Sequence, residues 1–381
     1  MQRHPLRFPA HPLLALAVIG GGVLSAGLLT TVGWLLWWLA WPQQQPPGNP
    51  EWGINFSCRQ MEYLQGLPPG VNRHEWCASQ FDRIITGLSV EHVRLSVYWD
   101  EVERRGRYDF SGLDALLAVA NTHHVDVLLT VGIKSQRHPE FYIPRRILRD
   151  DSGDPALRAD GAVISDDPAI RSAALAMVEA VVRHVAENPA VTAWQADNEP
   201  YIASPRAHNW TIGRDFVQEE VRTIRAADPL ARPVVINHAG YLSDDDSWRP
   251  AVEDADVMAL DIYPFRRVSF IGISLIAPIL EIGPLIPNYP WRGETAREAG
   301  KGFWITEMQA EPWAGFPELA DPATPRDITP GRLRQSIEYA RRSGASRVYL
   351  WGAEWWLYRV DLFDDWRYWD IARGAISGSG R

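Results

Sequence analysis

Motifs that would identify a nucleotide-, metal- or nucleic-acid-binding protein are absent from the 381-residue sequence. No G-x-G-x-x-G or Walker pattern follows the first predicted strand, and no H-E-x-x-H motif occurs. The formal net charge is -9, and no block of Lys or Arg suggests a nucleic-acid surface. We therefore expect no metal, no cofactor and no nucleic-acid partner.

Cysteine is also scarce, with only Cys58 and Cys77 in the chain. Free buried thiols are the usual state of such residues in a cytosolic protein. An apolar segment precedes this pair, however, and we expect that segment to export the rest of the chain. We therefore predict a disulfide between the two cysteines, with a closed loop that contributes about 3 kcal/mol in the chain-entropy model.

Charged residues are absent between Arg7 and Glu51, and the run from Leu13 to Trp41 is almost wholly apolar. This run is longer than the about 20 residues that cross a bilayer. A cleavable signal peptide is the alternative, but its apolar core usually has about 7–15 residues and ends in a small-x-small site. No such site stands out here, so an uncleaved membrane anchor is favoured.

These features divide the chain into four parts. They are a cytoplasmic N-terminus over 1–12, a transmembrane helix over 13–41, a proline-rich linker over 42–50, and a folded domain over 51–381. Because Arg3 and Arg7 precede the apolar run, the N-terminus should stay cytoplasmic. We therefore expect a single-pass protein of the cytoplasmic membrane with its folded domain on the extracytoplasmic side.

In the folded domain, short apolar runs alternate with amphipathic stretches, a pattern typical of βα units around a parallel sheet. Eight strands are predicted at Trp52–Phe56, His92–Val97, Asp126–Val131, Val191–Asp197, Pro233–Asn237, Val257–Ile262, Phe303–Thr306 and Arg347–Trp351. Five helices are predicted near Glu75–Thr86, Ser111–His123, Ala169–Ala186, Gly213–Ala227 and Gly331–Ser343. The pattern predicts an α/β fold, a (β/α)8 TIM barrel. A doubly wound open sheet is the alternative, although it usually has fewer strands.

A TIM barrel carries its active site at the C-terminal ends of its strands. Polar and aromatic residues do follow the predicted strands. They are Asn55 at the end of the first strand, Arg94 and Trp99 on and after the second, Asn198 and Glu199 after the fourth, His238 after the fifth, Tyr263 after the sixth, Glu307 after the seventh, and Trp351 and Trp355 at and after the end of the eighth.

This arrangement resembles the superfamily of retaining (β/α)8 glycoside hydrolases, which includes cellulase-like and β-galactosidase-like families. That superfamily places an Asn-Glu pair after the fourth strand and a second Glu at the end of the seventh. Here these are Asn198-Glu199 and Glu307. The resemblance covers roughly Trp52 to Trp369 and is strongest over Trp194–Pro200.

The resemblance implies cleavage of a β-linked oligo- or polysaccharide through a covalent glycosyl-enzyme intermediate. Glu199 is then the acid/base and Glu307 the nucleophile. By matching position, Asn198 resembles the residue that binds the sugar 2-hydroxyl, and Trp351 resembles the aromatic residue under the sugar. Arg94 and Tyr263 resemble the groups that orient the nucleophile.

Further candidates for substrate contact are His238, Asn55, Trp99 and Trp355. The alternative for each is a purely structural role in the packing of the barrel. Glu311 and Glu354 are additional candidates for contact with substrate hydroxyls, whereas Asp197 is expected to be structural. Two other functions remain open from the sequence. One is a transglycosylase that remodels a cell-surface glycan, and the other is a glycan-binding barrel without catalysis.

The segment Val268–Pro290 is unusually apolar and lies between the sixth and seventh predicted strands. Glu281 and several prolines argue against a second membrane span. A helix and loop packed on the barrel is one interpretation. The other is an apolar flap that contacts the bilayer or covers a lipid-linked glycan.

Overall fold

The apolar runs of the sequence are the strands of one closed parallel barrel. The protein is represented by a computed structural model that describes residues 12–40, 47–148, 159–203, 207–239, 245–270, 273–278, 289–313, 319, 323 and 325–378. The described strands are β1 (Glu51–Asn55), β2 (His92–Ser96), β3 (Glu103–Arg104), β4 (Arg107–Tyr108), β5 (Asp126–Val131), β6 (Val191–Ala196), β7 (Val234–Ala239), β8 (Val257–Ile262), β9 (Phe265–Phe270), β10 (Ile273–Pro278), β11 (Gly302–Gln309) and β12 (Arg347–Trp351).

The barrel strands follow one another in space in the same order as in the chain, β1-β2-β5-β6-β7-β8-β11-β12, and β12 closes on β1. Each neighbouring pair is parallel. This is the connectivity of a (β/α)8 barrel. The predicted TIM barrel is therefore confirmed, and the doubly wound sheet is excluded.

Helices precede, connect and follow the strands. They are α1 (Pro12–Ala40), α2 (Cys58–Gln65), α3 (Arg73–Leu88), α4 (Trp99–Val102), α5 (Ser111–Thr122), α6 (Pro168–His184), α7 (Arg214–Ala227), α8 (Asp245–Asp254), α9 (Tyr289–Glu298), α10 (Pro330–Arg341), α11 (Ala353–Phe363) and α12 (Arg367–Ser377). The five predicted helices are α3, α5, α6, α7 and α10. Capping explains a shifted start, since Asn72 accepts hydrogen bonds from the first turn of α3 at 2.9 and 3.2 Å.

Side chains alternate between the two faces of each barrel strand, because the side-chain period of a strand is two. In β5, for example, Val127 and Leu129 pack with the outer helices, whereas Leu128 packs with apolar residues of the other strands. The apolar interior layer consists of Leu128, Ala193, Val235, Val257, Ala259 and Tyr349. Gly53 leaves room for this layer, since a Cβ there would lie 2.8 Å from Cδ1 of Tyr349.

The next inward-facing position of most strands lies two residues closer to the C-terminal end, and there the interior becomes polar. These buried polar residues are Asn55, Arg94, Thr130, Gln195, Asn237 and Asp261. A buried polar group is costly unless it is hydrogen-bonded, so such a layer must satisfy itself internally. The polar layer forms the floor of the candidate site described below.

The apolar segment between β8 and β11 was interpreted as a helix and loop, but its described part is extended. Its described part forms an antiparallel hairpin of β9 and β10, with Phe270 opposite Ile273 and Phe265 opposite Pro278. β-branched residues such as Val268 and Ile276 favour extended structure, which explains the hairpin. The adjoining stretch 279–288 lies outside the described residues.

The N-terminal apolar run forms α1, whose side chains are described over 22–36 and are all exposed there. Across the residues that the structure describes, no helix is long and apolar enough to cross a membrane. The transmembrane segment predicted over 13–41 is therefore not supported.

The predicted disulfide is present. Cys58 at the start of α2 is bonded to Cys77 in α3, with their Cα atoms 5.6 Å apart. It links α2, which lies directly after β1, to the first outer helix of the barrel. The bond therefore holds α2 at the rim where the site opens.

Candidate active site

Arg94 organises the polar layer at the top of the barrel. Its guanidinium is wholly buried and donates to the side-chain oxygens of Glu307 (2.6 Å), Asn198 (2.6 Å), Gln195 (2.7 Å) and Asn55 (3.1 Å). Hydrogen bonds to charged groups are shorter and stronger than neutral ones. One cation on β2 thus orients residues from the ends of three other strands, β1, β6 and β11.

Glu307 is placed by an irregularity in β11. The pairing of β11 with β8 shifts between Ile305 and Glu307, which makes Thr306 the additional residue of a bulge. Bulges re-aim side chains and are common beside active sites. Here the bulge places the Glu307 carboxylate between two donors, Arg94 on one oxygen and the Tyr263 hydroxyl on the other.

Tyr263 follows β8 and is buried beside Glu307. Burial and the neighbouring Glu307 carboxylate raise the pKa of Tyr263 well above its usual value. The phenol therefore keeps its proton and acts as a donor. A donor on each oxygen holds the Glu307 carboxylate in one orientation.

Glu199 lies in a strained turn after β6, with positive φ values of 52° at Asp197 and 45° at Glu199. Such conformations cost about 1–3 kcal/mol each outside glycine and persist where surroundings enforce them. The backbone N–H of Glu199 donates to Oδ1 of Asn237 (2.7 Å), and Nζ of Lys134 donates to the Glu199 carbonyl (2.9 Å). These bonds hold the turn.

Asn237 and Asp261 join the two glutamates below the surface. Nδ2 of Asn237 donates to Asn198 (3.0 Å) and to Asp261 (2.5 Å), and the Thr306 hydroxyl donates to Asp261 (2.6 Å). Burial, followed by the nearby Glu307 and Glu199 carboxylates, raises the pKa of Asp261 well above its usual value. The network therefore links the Glu199 turn to the Glu307 bulge.

Above this network a cleft of about 820 Å³ opens at the C-terminal ends of the strands. Six residues predicted as site or contact residues line it: Glu199, Glu307, Asn198, Tyr263, Trp351 and Glu311. Arg94 and Asn55 lie beneath it, where Asn55 also donates to the Thr306 carbonyl at 2.9 Å. The cleft has the size and the convergent polar groups expected of a small-molecule site.

Three other predicted contact residues do not line this cleft. His238 is buried, with Nδ1 2.6 Å from the Ala239 carbonyl. The buried indole of Trp99 donates to Glu103 at 2.7 Å, and that of Trp355 donates to the Leu319 carbonyl at 3.1 Å. Each bonds within the protein, and none of the three is among the residues that line the cleft.

Trp351, the predicted platform under the sugar, is covered on one face by Arg137. The guanidinium carbon of Arg137 lies 3.8 Å from the centroid of the Trp351 ring. A second aromatic residue, Trp313, also lines the cleft and packs edge-on against Tyr263, with ring centroids 4.7 Å apart. Trp313 is therefore an additional surface for the apolar face of a sugar.

Sequence reasoning missed Gln195, Asn237, Asp261 and Arg137. The first three carried a usable signal, because each is a polar residue placed on the inward face of an otherwise apolar strand. Arg137 carried none, because it lies in the loop after β5 and reaches the site only through the path of that loop.

Under the Glu199 turn, the carboxyls of Asp197 and Glu220 meet beside Gly132. A Cβ at Gly132, whose φ is 123°, would lie 2.2 Å from Oδ1 of Asp197 and 2.5 Å from Oε1 of Glu220. No N–H or hydroxyl among the described residues donates to either oxygen of Glu220. A shared proton satisfies the pair, and burial raises the pKa of Asp197 to about 6 and that of Glu220 well above its usual value.

This pair predicts an unusual pH dependence of stability. Because both pKa values are raised in the folded state, the stability that they contribute is fully present below about pH 4 and is lost as pH rises through the folded pKa values. In Glu220→Gln, an amide supplies the hydrogen at every pH. We expect the wild-type Tm to fall between pH 5 and pH 8 by a few degrees more than the Tm of this variant.

Thermal unfolding followed by circular dichroism at several pH values checks this prediction. Glu219→Gln is the matched control, since Glu219 lies on the same helix but is partly exposed and paired with Arg171. That variant should keep the wild-type pH dependence. Equal falls in Tm for wild type and Glu220→Gln would contradict the shared proton.

A second prediction concerns Tyr263→Phe, which removes the hydroxyl that donates to Glu307 and keeps the ring against Trp313. Hydrogen bonds to charged groups are worth about 1.5–3 kcal/mol, so kcat/KM should fall roughly 10- to 100-fold. Steady-state kinetics on an aryl glycoside measures this. Tyr368→Phe, which removes a hydroxyl bonded to the Ile328 carbonyl (2.9 Å), is the control and should alter stability alone.

Comparison with known sequences supports the resemblance. Residues 72–216 match the family Glyco_hydro_42, described as Beta-galactosidase. The matched region contains Arg94, Asn198 and Glu199 and ends before Glu307. A β-galactosidase, Bga, of Halorubrum lacusprofundi is 26% identical over 133 residues, which are 32% of this chain and 19% of that protein.

Solved structures share the fold. An exo-β-1,4-mannosidase from Opitutaceae bacterium strain TAV5 aligns with a TM-score of 0.56 at 17% identity, over 87% of this chain and 60% of that protein. The polyextremophilic β-galactosidase of the Antarctic haloarchaeon Halorubrum lacusprofundi aligns with a TM-score of 0.54 at 17% identity, over 86% and 58%. The chain thus spans less than two thirds of each of these proteins. The predicted resemblance to retaining (β/α)8 glycoside hydrolases is confirmed at the level of the superfamily.

Proposed function

We propose that this chain, as a member of the superfamily of retaining (β/α)8 glycoside hydrolases, cleaves a β-linked glycoside by double displacement. The observation that carries the proposal is the setting of Glu307. Its carboxylate is held between Arg94 and Tyr263 in the floor of a cleft that Glu199 and Asn198 also line. A buried carboxylate with a fixed orientation, opposite a second carboxyl group, is what glycosidic bond cleavage requires.

In the first step the Glu307 carboxylate attacks the anomeric carbon, and Glu199 gives its proton to the glycosidic oxygen as the bond to the leaving sugar breaks. A covalent glycosyl ester on Glu307 results. In the second step Glu199 takes a proton from water, the hydroxide attacks the anomeric carbon, and Glu307 leaves. Asn198, held by Arg94 and Asn237, is positioned to bond the sugar 2-hydroxyl.

A β-galactoside is the first substrate class to test, because the matching family and the sequence relative are both described as β-galactosidases. A β-mannoside is the second, from the name of one structural neighbour. The test is turnover of aryl β-galactoside, β-mannoside and β-glucoside, with proton NMR of the anomer that forms first. Initial release of the β-anomer supports retention, whereas initial release of the α-anomer refutes it.

The same assay separates the remaining functions. Transfer of the sugar to an added acceptor in preference to water would indicate a transglycosylase, which shares the covalent intermediate. Binding of sugars by the folded protein without any cleavage would indicate a glycan-binding barrel. Because the Glu199 and Glu307 carboxyls are both present at one cleft, we expect hydrolysis.

We further propose that α1 anchors the chain in the cytoplasmic membrane, with the barrel outside. The support is the charge-free apolar run from Leu13 to Trp41, and the exposure of large apolar side chains such as Leu24 (75%) and Leu29 (73%). The β9–β10 hairpin is a proposed second membrane contact. To test the anchor, membranes that contain the full chain are washed with alkaline carbonate. We expect the full chain to stay in the membrane fraction and a variant without residues 1–42 to be lost from it. Recovery that does not change on removal would refute it.

A further inference from the structure

Arg137 and Glu311 form one wall of the cleft, and Glu354 is buried against Arg137. Its Nη1 pairs with Oε1 of Glu311, and its Nη2 donates to Oε2 of Glu354 at 2.9 Å. The other oxygen of Glu354 accepts from the backbone N–H of Ser57 at 2.6 Å. The Arg137 guanidinium also lies over the Trp351 ring. It therefore covers one face of this indole with a polar group.

Glu311 is left with a hydrogen-bonding capacity that the protein does not use. Its side chain is 6% exposed and lines the cleft, and Oε2 has no hydrogen-bond partner among the described residues. A buried carboxylate oxygen without a donor is costly, so an unsatisfied one calls for an explanation. Arg137 fixes the opposite oxygen, which prevents the carboxylate from turning away.

The charges around Glu311 decide which ligand groups it can accept. Glu311 and Arg137 line the cleft, and Glu354 is buried against Arg137. The lining also includes Glu101 and Glu140, and both of these carboxylates are paired with basic residues. A sugar carboxylate has no hydrogen to donate and would be repelled by Glu311. A sugar hydroxyl supplies the missing donor without adding charge.

We propose that Glu311 is a specificity-determining residue that accepts a hydrogen bond from a hydroxyl of a neutral sugar, and that its charge excludes uronic acids. The inference rests on the proposed function, since it concerns the sugar bound at the same cleft. Arg137 acts through Glu311 and is a positioning residue. The buried Glu354 carboxyl accepts a hydrogen bond from Arg137 and so fixes the position of its guanidinium.

The test is Glu311→Gln, assayed on the neutral aryl β-hexoside that the wild type cleaves best and on the matching aryl β-glucuronide. We expect kcat/KM for the neutral substrate to fall roughly 10- to 100-fold, since a hydrogen bond to a charged acceptor is lost. The ratio of glucuronide to neutral activity should rise at least about tenfold, because repulsion of the sugar carboxylate is removed.

Two further variants separate this role from general effects. Glu101→Gln removes another cleft carboxylate, which is paired with Arg59 and Arg73, and should change the selectivity ratio by less than about threefold. Glu354→Gln disturbs Arg137 but keeps the Glu311 charge, so uronide exclusion should persist. An unchanged selectivity ratio in Glu311→Gln would overturn the inference, as would the same rise in ratio in all three variants.

Measurements of sugar binding test the role of Glu311 independently of turnover. Calorimetry with galactose, glucose and glucuronate in a Glu307→Gln background should show neutral sugars weakened by Glu311→Gln and glucuronate strengthened. If the folded wild type cleaves no glycoside, the proposed function fails while this measurement still tests Glu311. Binding of neutral sugars that Glu311→Gln leaves unchanged would overturn the inference alone.

Discussion

Replacing Glu307 by Gln is expected to lower kcat for an aryl β-glycoside by on the order of 10⁴-fold or more, since no nucleophile remains to form the covalent intermediate. Gln has the shape of Glu, and its oxygen can accept from Arg94 while its NH2 group donates to the Tyr263 hydroxyl oxygen, so the fold should survive. Glu199→Gln should lower kcat by about 10²–10⁴-fold, the usual contribution of a general acid/base. That loss should shrink for a leaving group such as dinitrophenolate, which departs without protonation.

Added azide distinguishes the two roles. In Glu199→Ala, azide reaches the glycosyl-enzyme from the vacated side and should form the β-glycosyl azide at a restored rate. In Glu307→Ala, azide attacks from the side of the missing carboxylate and should form the α-glycosyl azide. NMR of the products identifies each anomer. If the two variants form the opposite anomers, the roles of Glu199 and Glu307 are exchanged. If Glu307→Gln keeps more than a tenth of the wild-type kcat, Glu307 is not the nucleophile.

The second large effect is expected at Arg94. Lys at this position offers one ammonium in place of a planar fork that donates to Glu307, Asn198, Gln195 and Asn55 at once. We expect Arg94→Lys to lower kcat/KM by about 10³-fold, because both the nucleophile and the 2-hydroxyl ligand lose their orientation. Arg59→Lys is the matched control, since Arg59 borders the same cleft in partly exposed ion pairs with Asp100 and Glu101.

Stability provides a readout of Arg94 that does not depend on activity. Arg94→Met leaves Glu307 buried without its cation, which should reduce the free energy of unfolding by about 3–5 kcal/mol. Adding Glu307→Gln removes the unpaired charge and should restore much of that loss. Urea unfolding of the two single variants and the double variant measures the coupling. Additive losses in the double variant would show that the Arg94–Glu307 pair contributes no coupling.

Much of the architecture could be predicted because it depends on local rules. Short apolar runs between amphipathic stretches identified eight barrel strands, three of which coincide with the observed ones in both bounds. The strand-end rule of TIM barrels then gathered Glu199, Glu307, Asn198, Tyr263 and Trp351, and all five line the cleft. Trp99 and Trp355 do not line the cleft, because a short helix after β2 and a helix after β12 bury their indoles.

The sequence by itself determined the barrel, the positions of the two glutamates and the cysteine pair, since apolar runs, strand-end positions and residue chemistry can be recognised locally. Only the tertiary structure decided which polar groups satisfy one another. Arg94 and Glu307 are 213 positions apart, and Arg137 and Glu354 are 217 apart, yet both pairs bond directly. Burial makes these long-range partners necessary, because a charged group removed from water must find a donor or acceptor wherever the closed barrel brings one within reach.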